Sequence, residues 1–184
     1  MQRKYRILWL LLVSLLTACT NQGSATVLDL QPYQDPAGIY ALPYPVGWSQ
    51  SRDENNHTVT FESEANALHT LPLYVEIYAI EIDVKADEEA AEVTAAWLEQ
   101  FLTANLDESA EVYNSTETKV SRQPAVLLDF AKPLDGGYLT GRIVLVYLPG
   151  YAIGIIGSGE KADWDAFLPT FRQMLQDFQL FPEA

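Results

Sequence analysis

The apolar positions of the chain change period several times, and each change predicts an element. Residues 1–18 open with Arg3, Lys4 and Arg6 and no acid, then run almost wholly apolar from Ile7 to Ala18. A basic segment, a short apolar run and small residues at its close make the layout of a cleaved leader. Twelve apolar residues at a helical rise of about 1.5 Å fall well short of the ~30 Å hydrocarbon core of a bilayer, so a spanning helix is the weaker reading. From Thr20 the pattern is lost. Asn21, Gln22, Gly23 and Ser24, then Pro32 and Pro36, predict a flexible tether up to residue 36.

From Ala37 to Pro182 the pattern is that of one folded unit, without internal repeat. Ile39 to Leu42 predicts a short strand, with Pro43 and Pro45 ending it or placing it at an edge. Thr58 to Glu62 alternates around Val59 and Phe61, a half-buried strand. Leu73 to Ile82 is apolar on both parities and predicts a central strand covered on both faces. Asp87 predicts an N-cap, with Glu88 and Glu89 against the dipole, for a helix over 88–105. Ala91, Thr94, Ala95, Leu98, Phe101 and Leu102 share one face of that helix, with Trp97 beside them. Polar Glu111 to Val120 predicts a strand near an edge, and Ala125 to Ala131 another strand. Asp135-Gly136-Gly137 is a turn signal. Tyr138 to Leu148 and Tyr151 to Ile156 predict a hairpin joined at Pro149-Gly150. Trp164, Phe167, Leu168, Phe171, Leu175 and Phe178 then recur at steps of three and four, a helix with a wide aromatic stripe. Pro169 inside it predicts a kink or a fresh helix start. Strands, a helix, hairpins and a helix argue for an α+β fold, a mainly antiparallel sheet packed between helices.

At the end of the leader, Leu16-Thr17-Ala18-Cys19 resembles the lipobox of bacterial lipoproteins. The resemblance implies a diacylglycerol on the Cys19 sulfur, cleavage before Cys19, and an amine that is open to acylation, with palmitate as the kind of chain carried. It divides the chain into a signal peptide (1–18), a lipidated cysteine with its tether (19–36) and a single domain (37–182). It places the protein in the cell envelope, held to a membrane through lipid on the extracytoplasmic side. The competing reading is a secretory leader with a chance cysteine. Cys19 is the only cysteine, so once acylated no thiol remains for a disulfide, a zinc site or a nucleophile.

Charge narrows the function classes. The full chain carries 11 basic and 25 acidic residues, net −14. Loss of Arg3, Lys4 and Arg6 with the leader leaves eight basic against 25 acidic residues, net −17. The remaining basic residues are scattered, which argues against nucleic-acid binding. Anionic headgroups would repel such a surface, so membrane association is expected from lipid rather than charge. The acidic excess suits solubility first and a cationic partner or metal second.

No spacing for catalysis stands out. Gly154-Ile155-Ile156-Gly157-Ser158-Gly159 has the wrong order for a dinucleotide or phosphate loop, and Glu160, Asp163 and Asp165 follow it. It reads as a strand exit with close packing and a helix cap. Ser158 fails the nucleophile-elbow pattern because Ile156 occupies the first glycine position. His57 and His69 are the only histidines. A serine hydrolase would need one of them beside a serine, and a metal site would need them beside Glu62 or Glu64, without any standard ligand spacing. Exposed loop histidines are the plainer reading. Paired acids such as Glu62 with Glu64 arise by chance in so acidic a chain. No catalytic residue, metal ligand or cofactor is expected. Tyr40, Tyr44 and Trp48, set among prolines, are the candidate recognition surface; the alternative is that they pack the start of the domain over the sheet.

The opening Tyr40-x-x-Pro43-x-Pro45-x-x-Trp48, the alternating strand after it, the middle helix and the ending Met174-Leu175-x-x-Phe178 resemble the PsbP-like fold. That group includes the photosystem II extrinsic protein, Ran-binding Mog-type proteins and many bacterial lipoproteins. The likeness spans about residues 37–181, and Asp177 departs from it where a small polar residue is expected. It implies an antiparallel sheet between helices and a largely non-enzymatic protein that docks to larger assemblies, here an envelope protein partner. It transfers no functional residue. A small-ligand or metal-binding envelope protein is the second reading, and a hydrolase the third.

Overall fold

A computed structural model describes residues 27–53, 57–64, 71–82, 90–106, 108–148 and 150–181, with only the backbone over 90–96. The leader, Cys19, His69, Asp87, Glu88 and Glu89, and the side chains of Ala91, Thr94 and Ala95, lie outside the described residues. In chain order the elements are β1 (Leu30–Gln34), β2 (Tyr40–Pro45), β3 (Ser49–Asp53), β4 (Thr58–Glu62), β5 (Tyr74–Glu81), α1 (Ala90–Asn105), β6 (Glu111–Val120), β7 (Gln123–Leu134), β8 (Gly137–Leu148), β9 (Tyr151–Glu160), α2 (Lys161–Gln176) and β10 (Gln179–Leu180). Seven strands form one antiparallel sheet in the order β3-β4-β5-β9-β8-β7-β6, and β1-β2-β10 form a second, small one.

The large sheet is covered on both faces by unlike partners. On one face Trp164, Phe167, Phe171 and Met174 of α2, together with Tyr33, Tyr40 and Leu42 of the small sheet, pack on Phe61, Val75, Ile77, Val144, Val146, Ile153 and Ile155. On the other, Phe101 of α1 packs with Leu128, Phe130, Ile143, Leu145 and Ile156, flanked by Trp97, Leu98 and Leu102. The α+β expectation therefore holds with a correction. The sheet lies between α1 and a layer made of α2 and a second sheet, which the sequence reading did not contain.

Several boundaries move for physical reasons. The expected tether reaches residue 36, whereas Leu30–Gln34 is a strand paired with β2, from Leu30 opposite Pro45 to Gln34 opposite Ala41. Pro32 is tolerated because β1 is an edge strand of the small sheet. Pro43 and Pro45 likewise continue β2 rather than end it, since β10 reaches only Ala41 and Tyr40 and leaves the rest of that side without a strand. Leu73 to Ile82 is interior but not the middle of the sheet. Val75, Ile77 and Ala79 are buried while Tyr74, Glu76 and Tyr78 on the other face are half-buried. The strands covered on both sides are β9, buried from Ala152 to Gly159, and β8 over Ile143 to Val146. The glycines of β9 lie inside the strand, not at a loop. A Cβ on Gly154 would sit 2.5 Å from the Phe101 ring, and one on Gly157 would sit 2.6 Å from Phe171. Helix α2 runs unbroken through Pro169. The lost backbone bond costs stability, and the five buried residues Trp164, Phe167, Thr170, Phe171 and Met174 offset it by fixing the helix on the sheet.

Phe171 is fully buried between α2 and β9, so Phe171→Ala is expected to lower unfolding free energy by about 3–5 kcal/mol. Arg172→Ala, exposed on the same helix, is expected to change it by less than about 0.5 kcal/mol. Urea denaturation of both variants checks this, and equal losses would contradict the packing described.

Candidate functional site

Helix α1 covers only part of its face of the sheet, and a cleft of about 490 Å³ opens beside its C-terminal end. Strand pairing builds the floor in rows. Glu76 is in line with Ile156, Ile143 and Leu128; the next row is Tyr74, Ser158, Gly141 and Phe130. Beyond it, Lys132 pairs with Leu139. Ser158 and Gly141 in the middle of the second row are buried and do not themselves line the cleft. Tyr74 and Phe130 stand at its ends, and a Cβ on Gly141 would lie 2.6 Å from the Phe130 ring. The roof is the last turn of α1, Thr103 to Asn105, followed by Leu106.

The polar groups of the cleft are fixed. Tyr78 Oη donates to Glu76 Oε2 at 2.9 Å and Thr60 Oγ1 donates to Glu76 Oε1 at 3.2 Å. Each carboxylate oxygen keeps a further lone pair for a ligand. Burial, with the adjacent Glu76 charge and hydrogen bond adding to it, pushes the Tyr78 phenol well above its ordinary range. Burial also pushes Tyr74 up; Ser158 and Lys132 oppose that rise, while Glu76 adds to it. Ser158 Oγ itself is fully buried without a well-formed hydrogen bond. Asn105 Nδ2 donates back to the Phe101 carbonyl at 2.8 Å, closing the helix end. No basic side chain lies in that last turn, so the negative end of the helix dipole faces the cleft without a counter-charge from the helix itself.

The residues singled out from the sequence lie elsewhere. Tyr40 is 1% exposed and stacks on Phe178 at 5.7 Å; Tyr44 stacks on Phe61 at 4.4 Å and Trp48 on Phe167 at 4.9 Å. Each is keyed to a different core ring, and Tyr40 offers a partner no surface. Beside Tyr40, the buried Asp35 carboxylate accepts from the Ile39 amide at 3.3 Å and faces Arg52 at 3.6 Å. His57 sits exposed in the turn before β4, with φ of 50°. Glu62 is at the far end of that strand, so the two do not meet. Ser158 pairs across from Tyr74, whereas the start of β4 pairs at Tyr78. Thus His57 and Ser158 belong to opposite ends of β5. Among the described residues no three metal-ligating side chains gather. The cleft itself was missed because Tyr74, Glu76 and Tyr78 read as one parity of a buried strand. The isolated Glu76 among apolar neighbours was the signal available.

The PsbP family profile matches residues 28–180, and the chain belongs to that family. No curated protein sequence matches it. Among solved structures, the cyanobacterial PsbP of Synechocystis sp. PCC 6803 is 18% identical with a TM-score of 0.61, covering 86% of this chain and 96% of that one. LpqN, involved in cell envelope biogenesis of Mycobacterium tuberculosis, is 12% identical with a TM-score of 0.61, covering 84% and 91%. The Ran-binding protein Mog1p of Saccharomyces cerevisiae is 11% identical with a TM-score of 0.57, covering 83% and 96%. These likenesses establish a shared fold.

Four phenols, Tyr33, Tyr40, Tyr74 and Tyr78, are held above the ordinary value of 10.0, in each case first by burial. Above that value the unfolded chain releases protons that the folded state keeps, so stability is expected to be insensitive to these groups below about pH 10 and to fall above it. Urea midpoints measured from about pH 9 to about pH 11 test this, and a flat profile would contradict it. Tyr78→Phe, which removes one such phenol, is expected to make the alkaline fall shallower.

Proposed function

We propose that this PsbP-family chain is a non-enzymatic binding or accessory module of the cell envelope, held on the extracytoplasmic side by lipid on Cys19 and docking to an envelope or membrane-associated protein. The observation that carries the reading is the leader ending Leu16-Thr17-Ala18-Cys19, set so close before a folded domain. The domain begins earlier than the sequence suggested, with Leu28 N bonded to Thr170 Oγ1 at 3.1 Å and β1 from Leu30. Eight residues, Thr20 to Val27, lie between Cys19 and Leu28, a length that spans at most about 29 Å fully extended, so a lipid on Cys19 would keep the domain within reach of partners at the membrane surface.

Membership of the PsbP family supports a binding role, as do the printed roles of two structural relatives, Ran binding and envelope biogenesis. No helix among the described residues is long and apolar enough to cross a membrane, which fits a lipid as the attachment. Separation of His57 from Ser158 weighs against the hydrolase reading. The cleft beside α1 favours a second reading, a small-ligand-binding envelope protein, because its volume is in the range of ordinary ligand sites.

Cys19→Ser is expected to leave the domain folded and move it from the membrane pellet to the soluble fraction. Cell fractionation after a high-salt wash, with circular dichroism of the released protein, measures both. A folded Cys19→Ser protein that still sediments would overturn the lipid anchor. Crosslinking in intact cells is expected to join the wild-type protein to one envelope partner reproducibly; recovery uncrosslinked under every condition would count against docking.

A further inference from the structure

We propose that Val27, Leu28 and Val46, at one end of the small sheet, rest in the headgroup layer of the membrane that holds the lipid on Cys19, and so set the orientation of the domain on it. This rests on the lipid anchor proposed above and adds a second, weaker contact to it.

Strand pairing brings the three residues to one tip. β1 and β2 pair as far as Leu30 opposite Pro45. The Val46 amide then donates to the Asp29 carbonyl at 2.9 Å, which carries the pairing one residue further. Val27 and Leu28 follow directly, and the Leu28 amide is held on Thr170 Oγ1 at 3.1 Å. Val46 stands at the corner of a turn: the Trp48 amide donates to the Pro45 carbonyl at 3.3 Å, and Gly47 takes a φ of 85°. Turn corners ordinarily carry polar residues, glycine or proline. Here Val46 is 58% exposed, beside Val27 at 44% and Leu28 at 43%. The core takes up little of these side chains, although hydrogen bonds fix the backbone at Leu28, Asp29 and Val46.

Two observations say what covers the tip. The first is the position of the anchor. Val27 is the eighth residue after Cys19, so a lipid there draws this end of the domain to the bilayer first. Tethering makes the contact intramolecular, and a patch too small to hold a free protein on a membrane then acts at high effective concentration. The second is charge. In a mature chain of net −17, residues 20–34 carry one charged side chain, Asp29, and residues 36–51 carry none. This end therefore meets headgroups with little of the repulsion that the rest of the surface brings. Trp48, half-buried with its ring stacked on Phe167 at 4.9 Å, is of a residue type that favours the same level of a membrane. The contact is shallow. Asp29 opposite Val46 and Glu62 opposite Ser49 set carboxylates close to the tip, and a carboxylate is costly to bring into hydrocarbon.

The mature lipidated protein, reconstituted in phosphatidylcholine vesicles, tests this. An environment-sensitive fluorophore is placed at Val46→Cys or, as the reference, at Phe181→Cys; the acylated sulfur of Cys19 does not take the label. Phe181 is also exposed, 37%, but its amide bonds to the Ile39 carbonyl beyond the other end of β2. Flotation of the vesicles first establishes that each protein is anchored. The label at 46 is expected to shift its emission to the blue and to be quenched by headgroup-level doxyl lipids at least about twofold more than the label at 181. Val27→Ser combined with Leu28→Ser, both at exposed positions, is expected to keep the urea midpoint and to bring the quenching at 46 down to that at 181. Equal quenching at the two sites in floated protein overturns the membrane contact and leaves the anchor standing. Failure to float overturns the anchor and this proposal with it. A label at 46 shielded in native membranes but not in protein-free vesicles assigns the tip to a protein partner and overturns the lipid assignment. Quenching that survives the double serine variant overturns the part given to Val27 and Leu28.

Discussion

The structure depends on one strand being buried on both faces. β9 runs through the middle of the seven-stranded sheet, and from Ala152 to Gly159 every one of its residues is buried. Its even and odd positions answer to different cores: Ile153 and Ile155 to the α2 side, Ile156 to the α1 side. Where a ring from either helix descends furthest, the strand carries glycine. Phe101 sits over Gly154 and Phe171 over Gly157, so each helix approaches the sheet more closely than a side chain would permit. A glycine in a strand ordinarily weakens it. Here that cost is offset because two neighbours, β5 and β8, hold the strand by continuous antiparallel pairing and the rings fill the space above it.

The same constraint explains where the cleft on the α1 face lies. On the α2 side, the small sheet and the helix together cover the core, and the aromatic contacts run on from Tyr33 and Tyr44 against Phe61 to Trp48 against Phe167. On the α1 side one helix is the only cover among the described residues, and it ends at Asn105, where the side chain turns back to cap the Phe101 carbonyl. Sheet rows beyond that point have no helix over them. Tyr74 and Phe130 line the opening there, at the two ends of a row whose middle residues, Gly141 and Ser158, are buried. A depression with polar ends follows from where the helix stops.

The period of the apolar residues made most of this legible. Thr58–Glu62, the polar edge strand, the hairpin after Gly137 and the two helices fall near where the local pattern places them: alternation in the first, polarity throughout in the edge strand, apolar runs in the hairpin and a three-to-four spacing in the helices. What failed to show was tertiary. Pro32 read as tether, and Pro43 and Pro45 as ending a strand or placing it at an edge; an edge strand absorbs the first, and a strand with little partner beyond Ala41 absorbs the other two. The polar β3, Ser49–Asp53, has no apolar period and exists through its pairing with β4. Tyr40, Tyr44 and Trp48 stood out as aromatics beside prolines, a surface signature, but each is taken up by a core ring contributed from elsewhere in the chain. Glu76 shows the converse. One of two acids, with Glu81, in the run from Leu73 to Ile82, it has no spacing to mark it, and the Tyr78 and Thr60 hydrogen bonds disclose that its position is fixed.

The two edges of the large sheet differ in how much backbone they leave open. β3 is five residues long, whereas β6 has ten, nine of them exposed. A long free edge is a template for an incoming strand. In β6 that template is broken. The pairing with β7 shifts register between Tyr113 and Thr116, and Asn114 takes a left-handed φ of 51°. A bulge of this kind turns successive backbone groups away from the ladder direction. Glu111, Glu117 and Lys119 add charge along the remainder of the strand. An approaching strand would therefore have to follow a bent edge and accept both signs of charge, which disfavours pairing by backbone alone.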